Sequence, residues 1–251
     1  MTDQQRFSAA AKPWVGTLLA IVATLATFGF VQARYPLFVV SSEYDIGMGA
    51  STEARLALQQ QTQLVERKNA MVIFALGSSL LAAGLASVAE GCCAMPIRMI
   101  TGFLWGAVWG TVTGWVASLA QSVFIPYDSF PSVTTTGMSQ AFAFGFLGAG
   151  IGLMLGGYSR NARTAIASAI TAMIAGGGGG FLFAIVVGFV ADSQNSGQLV
   201  PDGAVARLLW LTLPFAAIGF LLSQPKPTPQ SSVAAPVELS EATGPQGHEK
   251  S

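Results

Sequence analysis

Six runs of roughly 20 apolar residues succeed one another along the chain, at approximately 14–33, 70–90, 99–122, 140–158, 163–190 and 205–222. Lipid offers the backbone no hydrogen-bond partner. A segment crossing a bilayer core about 30 Å thick is therefore a helix of about 20 residues. The interiors of the six runs carry no Asp, Glu, Lys or Arg, and Glu90 and Arg207 stand at edges. The pattern predicts an all-α, polytopic membrane helix bundle of about six transmembrane helices. The fourth and sixth runs are short, and the fifth is long enough to tilt or break.

Between the first two runs lies the one sizeable polar insert, residues 34–69. Pro36 ends or kinks the first helix, and Asp45-Ile46-Gly47-Met48-Gly49 reads as a loop. Ser51 or Thr52 can cap a second helix. The stretch STEARLALQQQTQLVERKN holds helix formers and neither Gly nor Pro. No breaker separates it from the second run, so one helix is expected from about 52 to 90, roughly 58 Å long at 1.5 Å per residue. Its first half forms a stalk outside the bilayer, with a partial apolar face that includes Leu56 and Leu64. After Leu222, Pro, Ser, Gly and charge take over, with too little apolar matter to offset chain entropy. The organisation is a short inner segment (1–13), a helix bundle (14–222) and a disordered Pro-rich inner tail (223–251).

Composition points the same way. Of 251 residues, 52% are hydrophobic and 10% charged, with a mean hydropathy of +0.56; a soluble domain carries about 25% charge. A net charge of zero leaves no basic field for nucleic acid. Orientation depends on basic residues near the ends of the runs. With the amino terminus inside, Arg6, Lys12, Arg98, Arg160, Arg163, Lys226 and Lys250 fall inside. Arg34, Arg55, Arg67, Lys68 and Arg207 then fall outside. The short loops 91–98 and 159–163 hold arginine and no acid, whereas 123–139 holds Asp128 and no base. Both termini are expected on the cytoplasmic face of a plasma or inner membrane. Arg6, Lys12, the apolar run and Val31-Gln32-Ala33 also resemble a cleavable signal. The run exceeds the core of about 7–15 residues in such signals, which favours a retained anchor.

A shift of 66 residues brings LAAGLA at 81–86 onto LGAGIG at 147–152, and Gly110 and Gly114 onto Gly176 and Gly180. Arg98 falls one residue past Arg163. Runs two and three, and runs four and five, thus read as a duplicated helical hairpin repeated about the membrane normal. Glycine recurs at every fourth position in Gly102, Gly106, Gly110 and Gly114, and again in Gly148, Gly152 and Gly156. Helices in lipid meet through close van der Waals approach, and small residues four apart clear a groove for it. Trp105 and Trp109, each one residue before a glycine, flank that groove. In the run Gly176 to Gly180 each glycine costs about 1 kcal/mol of helix propensity. It reads as an intact helix at a crowded crossing, because lipid penalises unpaired backbone. The competing reading is a break into half-helices whose backbone coordinates a solute. Pro214 is placed to kink the sixth run.

Candidate chemistry is scarce. Gly148-Ala149-Gly150-Ile151-Gly152-Leu153 lacks the last glycine of a dinucleotide fingerprint, and no Gly-Lys-Ser/Thr exists. The one histidine, His248, lies in the tail, so neither a Ser/His/Asp nor a Cys/His set can assemble in the bundle. The commonest metal ligand is missing there too. Cys92 and Cys93 read as small apolar fillers, and Glu90 as a partner for Arg98 or for headgroups. Intramembrane carboxylates of the kind that mark proton relays are absent from the interiors of the runs. No catalytic, cofactor-binding or metal residue is assigned. The expected function is a non-enzymatic multi-pass membrane scaffold or assembly subunit, packed through glycine-rich helix faces. Its partners are the lipid bilayer and either a second copy or another membrane protein. The alternative is a passive channel or small-solute transporter built on a break at Gly176–Gly180.

Overall fold

The structure, a computed structural model, describes residues 13–42, 51–91, 96–123, 133–158, 160–190, 199–201 and 203–224. Its helices are α1 (Pro13–Arg34), α2 (Thr52–Gly91), α3 (Pro96–Val123), α4 (Val133–Gly157), α5 (Ala162–Val190) and α6 (Ala204–Leu222). All six are long and apolar enough to cross a membrane. No strand occurs among the described residues. The fold is a polytopic membrane helix bundle.

Local sequence sets the helix ends. α1 opens on Pro13, whose missing N–H is no loss in a first turn, and closes at Arg34 ahead of Pro36. α2 is a single 40-residue helix, begun where the Ser51 hydroxyl accepts the Ala54 N–H at 3.3 Å. Residues 52–68 are exposed or half-exposed, and burial begins abruptly at Asn69 and Ala70. Stalk and membrane span are one rod.

One boundary changes and one open choice is decided for the intact helix. α4 begins at Val133, well before the apolar run at 140, because Thr136, Gly137 and Ser139 turn inward and are buried with the bundle. A hydropathy pattern reads such residues as loop; a helix face hides them. α5 runs through Gly176–Gly180 without interruption, so the break on which the transport alternative depended does not form. Its backbone is hydrogen-bonded within the helix, which satisfies groups that lipid could not.

Each helix packs against its sequence neighbours, α1 closes the ring against α6, and α2, α4 and α6 meet one another at the centre. One end of the bundle carries the stalk, where α1, α3 and α5 finish; α1 starts and α6 finishes at the opposite, tail end. The glycine positions give the register. A Cβ on Gly106 would run into the carbonyl oxygen of Ala82, one on Gly110 into that of Ser78, and one on Gly114 into that of Phe74. In the second hairpin Gly148 lies in this way against Ala172, Gly176 against Phe144 and Gly180 against Gln140.

Moving every member of the first set by 66 residues reproduces the second. Phe74 with Gly114 becomes Gln140 with Gly180, Ser78 with Gly110 becomes Phe144 with Gly176, and Ala82 with Gly106 becomes Gly148 with Ala172. The two hairpins share one antiparallel register, although at the third pair the glycine has moved to the other helix. The contact each hairpin makes with the preceding helix recurs as well. Gly84 faces Leu19 of α1 at 3.3 Å from a notional Cβ, and Gly150, 66 residues on, faces Thr113 of α3. The apolar side chains turned outward, such as Leu104, Val108 and Val112 on α3 and Ile166, Ile170 and Ile174 on α5, form the lipid-facing surface.

Candidate functional site

At the centre of the ring four aromatic side chains from the three inner helices pack at tilted and edge-on angles. Phe74 of α2 lies 5.1 Å from Phe144 of α4 and 5.2 Å from Trp210 of α6, centroid to centroid. Phe144 lies 5.8 Å from Trp210 and 6.2 Å from Phe215. All four are fully buried. Pairs at these spacings align ring edges with ring faces. The axis of the bundle is filled at this level.

Between that layer and the stalk end, buried carboxamide and hydroxyl groups enter the interior. Trp210 Nε1–H donates to Gln140 Oε1 at 2.8 Å. Gln121 Nε2 donates to the Leu199 carbonyl at 3.0 Å, and the Ser139 hydroxyl donates to the Gln121 carbonyl at 3.1 Å. Leu199, Val200 and Pro201 are themselves buried, so the segment ahead of α6 folds into the bundle instead of lying on it. These bonds fix which way each carboxamide faces. Gln121 Oε1 and Gln140 Nε2 are then left buried with no partner among the described residues.

A second polar contact seals the corner where the chain leaves α1. The Asn69 side chain accepts the Phe38 N–H at 2.8 Å and donates to the Phe38 carbonyl at 3.1 Å. One carboxamide thus pairs both backbone groups of a single residue, at the depth where α2 enters the bundle. The Arg207 guanidinium lies 4.7 Å from the centre of the Tyr35 ring beside it, an electrostatic contact with the ring face.

Gly102, Gly106, Gly110 and Gly114, the stripe of α3, are all buried. Trp105 faces outward, its ring 6.2 Å from that of Trp109. Trp109 does more than border the groove, because its Nε1–H donates to the Gly150 carbonyl of the next hairpin at 2.8 Å. The Ser78 hydroxyl sits 2.5 Å from the carbonyl oxygens of both Phe74 and Gly110, bridging α2 and α3. Within the five-glycine run Gly176 and Gly180 abut α4, Gly179 abuts Pro214 of α6 at 2.5 Å from a notional Cβ, and Gly178 has nothing within 4 Å. Cys92, Cys93, His248 and the pairing of Glu90 with Arg98 lie outside the described residues. Among the described residues no three His, Cys, Asp or Glu side chains group together.

Asn69, Gln121 and Gln140 carry polar contacts that a search for charge does not find. The signal available in the sequence is an uncharged carboxamide in or beside an apolar run, since lipid tolerates one only facing inward. The arrangement defines a multi-pass integral membrane protein with a closed, glycine-contacted bundle and a projecting helix. The chain matches no family model, no curated protein and no solved structure.

Proposed function

We propose that the protein is a non-enzymatic membrane scaffold or assembly subunit whose docking element is the α2 stalk. One observation carries the reading: α2 continues unbroken from exposed turns at Thr52 into the buried centre at Phe74. A partner bound to the stalk is therefore tied to the whole bundle without a hinge. Leu56 and Leu64 stand out on it, 53% and 46% exposed. The aromatic layer at the centre supports a holding role over a conducting one. So does the engagement of the glycine faces inside the chain, a glycine zipper spent on its own helices.

Photo-crosslinking residues introduced at Leu56 and Leu64 in native membranes test the reading, with Ile174 on the lipid face as control. The expected result is a discrete protein adduct from the stalk and lipid adducts alone from Ile174. Stalk positions that give no protein adduct would overturn it. The same reading puts both termini on the cytoplasmic side of a plasma or inner membrane, in keeping with Arg98 in the first turn of α3 and with Arg160 and Arg163 where α5 begins. In a Cys92→Ser/Cys93→Ser background, Ser51→Cys should react with impermeant maleimide from outside, and Gln224→Cys only after permeabilisation.

A further inference from the structure

We infer that the tail end of the bundle carries a binding site for an anionic phospholipid headgroup, formed by Arg98, Arg160 and Arg163. Two observations meet there. The first is a backbone outlier. Arg160, in the turn between α4 and α5, has φ of 53° and is the one non-glycine residue with positive φ among those described. An L-residue with a bulky side chain is strained in this region, where glycine or asparagine sits at lower cost. Strain of this kind persists where the surroundings hold it and where the side chain serves a purpose.

The surroundings are in place. Arg160 N–H donates to the Gly157 carbonyl at 3.0 Å, and the Asn161 side chain caps α5 by accepting the Arg163 N–H at 3.0 Å. The turn thereby fixes two arginines, both exposed, at the mouth of α5. An asparagine is available one position later, yet the left-handed residue is the arginine.

The second observation is the register of α3 against α4. Trp109 stands opposite Gly150, and the two helices run antiparallel. Seven residues back along α3 and seven forward from Gly150 reach Gly102 and Gly157, where α4 ends, and Arg98 lies about one further turn out toward the α4–α5 turn. Arg98, also exposed, thus stands at the same end of the bundle as Arg160 and Arg163, on a helix that packs against α4. About two turns further along α3, Trp105 faces outward, 52% exposed. A guanidinium offers several donors to phosphate oxygens, and tryptophan favours the interface layer just below. Three such cations at one end of the bundle suit a lipid with a net negative phosphate, whereas a zwitterionic headgroup brings its own cation.

The test is retention of lipid by purified protein, counted by native mass spectrometry. The detergent micelles are doped with dioleoyl phosphatidylglycerol or with dioleoyl phosphatidylcholine. The wild type should retain phosphatidylglycerol several-fold over phosphatidylcholine. Arg98→Gln/Arg160→Gln/Arg163→Gln should remove the preference, and Arg55→Gln/Lys68→Gln at the stalk end should keep it. Inorganic phosphate at matched concentration should not displace the lipid, which separates a membrane ligand from a free anion. Arg160→Gly provides a readout of opposite signs: a higher Tm in phosphatidylcholine through relief of the backbone, with a lower preference for phosphatidylglycerol. Equal retention of the two lipids by the wild type, a preference that survives the triple variant, or displacement by phosphate would overturn the inference.

Discussion

Gly110 and Gly176, 66 residues apart, occupy the same place in two hairpins: each presses against a main-chain carbonyl of the partner helix, that of Ser78 and that of Phe144 respectively. The close approach is a property of the register, and the residue facing the glycine is free to vary. In the first hairpin a serine hydroxyl fills the position and bonds across to the Gly110 carbonyl. In the second the position holds Phe144, whose ring turns into the central aromatic layer. One backbone plan therefore supports two side-chain uses.

The five-glycine run gives the sharpest test of this packing. Gly180→Ala places a methyl group against the Gln140 carbonyl, an overlap that backbone must shift to relieve, at a cost of about 1–3 kcal/mol. Gly178→Ala meets nothing and gains up to about 1 kcal/mol of helix propensity. Melting in detergent should therefore fall for the first and hold or rise for the second. Equal shifts at the two positions would count against the register.

Gly150→Ala should be rescued by a change on another helix. The added Cβ overlaps Thr113 Cγ2, so the single variant should lose stability, and Gly150→Ala/Thr113→Ala should recover most of it. Thermal melting of the two single variants and the double reads the coupling. Simple addition of the two losses would show that α3 and α4 do not meet there.

The Trp210–Gln140 bond predicts an asymmetry between its two ends. Trp210→Phe strands the Gln140 carbonyl oxygen in a dry interior, at about 1–3 kcal/mol. Adding Gln140→Leu removes both that oxygen and the amide that has no partner among the described residues. The double variant should melt above Trp210→Phe alone, which differential scanning fluorimetry can resolve.

Asn69→Leu should loosen the chain between α1 and the stalk without unfolding the bundle. It deletes both bonds to the Phe38 backbone, each worth about 0.5–1.5 kcal/mol net. Amide exchange at Phe38 should accelerate by an order of magnitude or more, while exchange within α5 stays unchanged. Protection at Phe38 equal to wild type would show that other contacts hold that corner.

Much of the bundle is legible in the order of residues. Apolar length fixes the six helices, the absence of a breaker after Ser51 fixes the continuity of α2, and the matched glycines at Gly110 with Gly176 and Gly84 with Gly150 reveal the duplication. These are local properties: a bilayer imposes its length on any span, and helix propensity acts within a few turns. The candidate site is less visible. Thr136 and Ser139 look like loop residues until a neighbouring helix covers them, and Gln121 finds its acceptor in Leu199, 78 positions away. Whether a glycine is jammed, as at Gly179, or open, as at Gly178, depends on which way a helix is rotated in its ring. That rotation is set by contacts between helices far apart in sequence. The chain alone determines that it forms six membrane-spanning rods; only their mutual packing decides that the axis is closed by aromatic rings and that polar groups pair inside, because those energies exist only between surfaces already brought together.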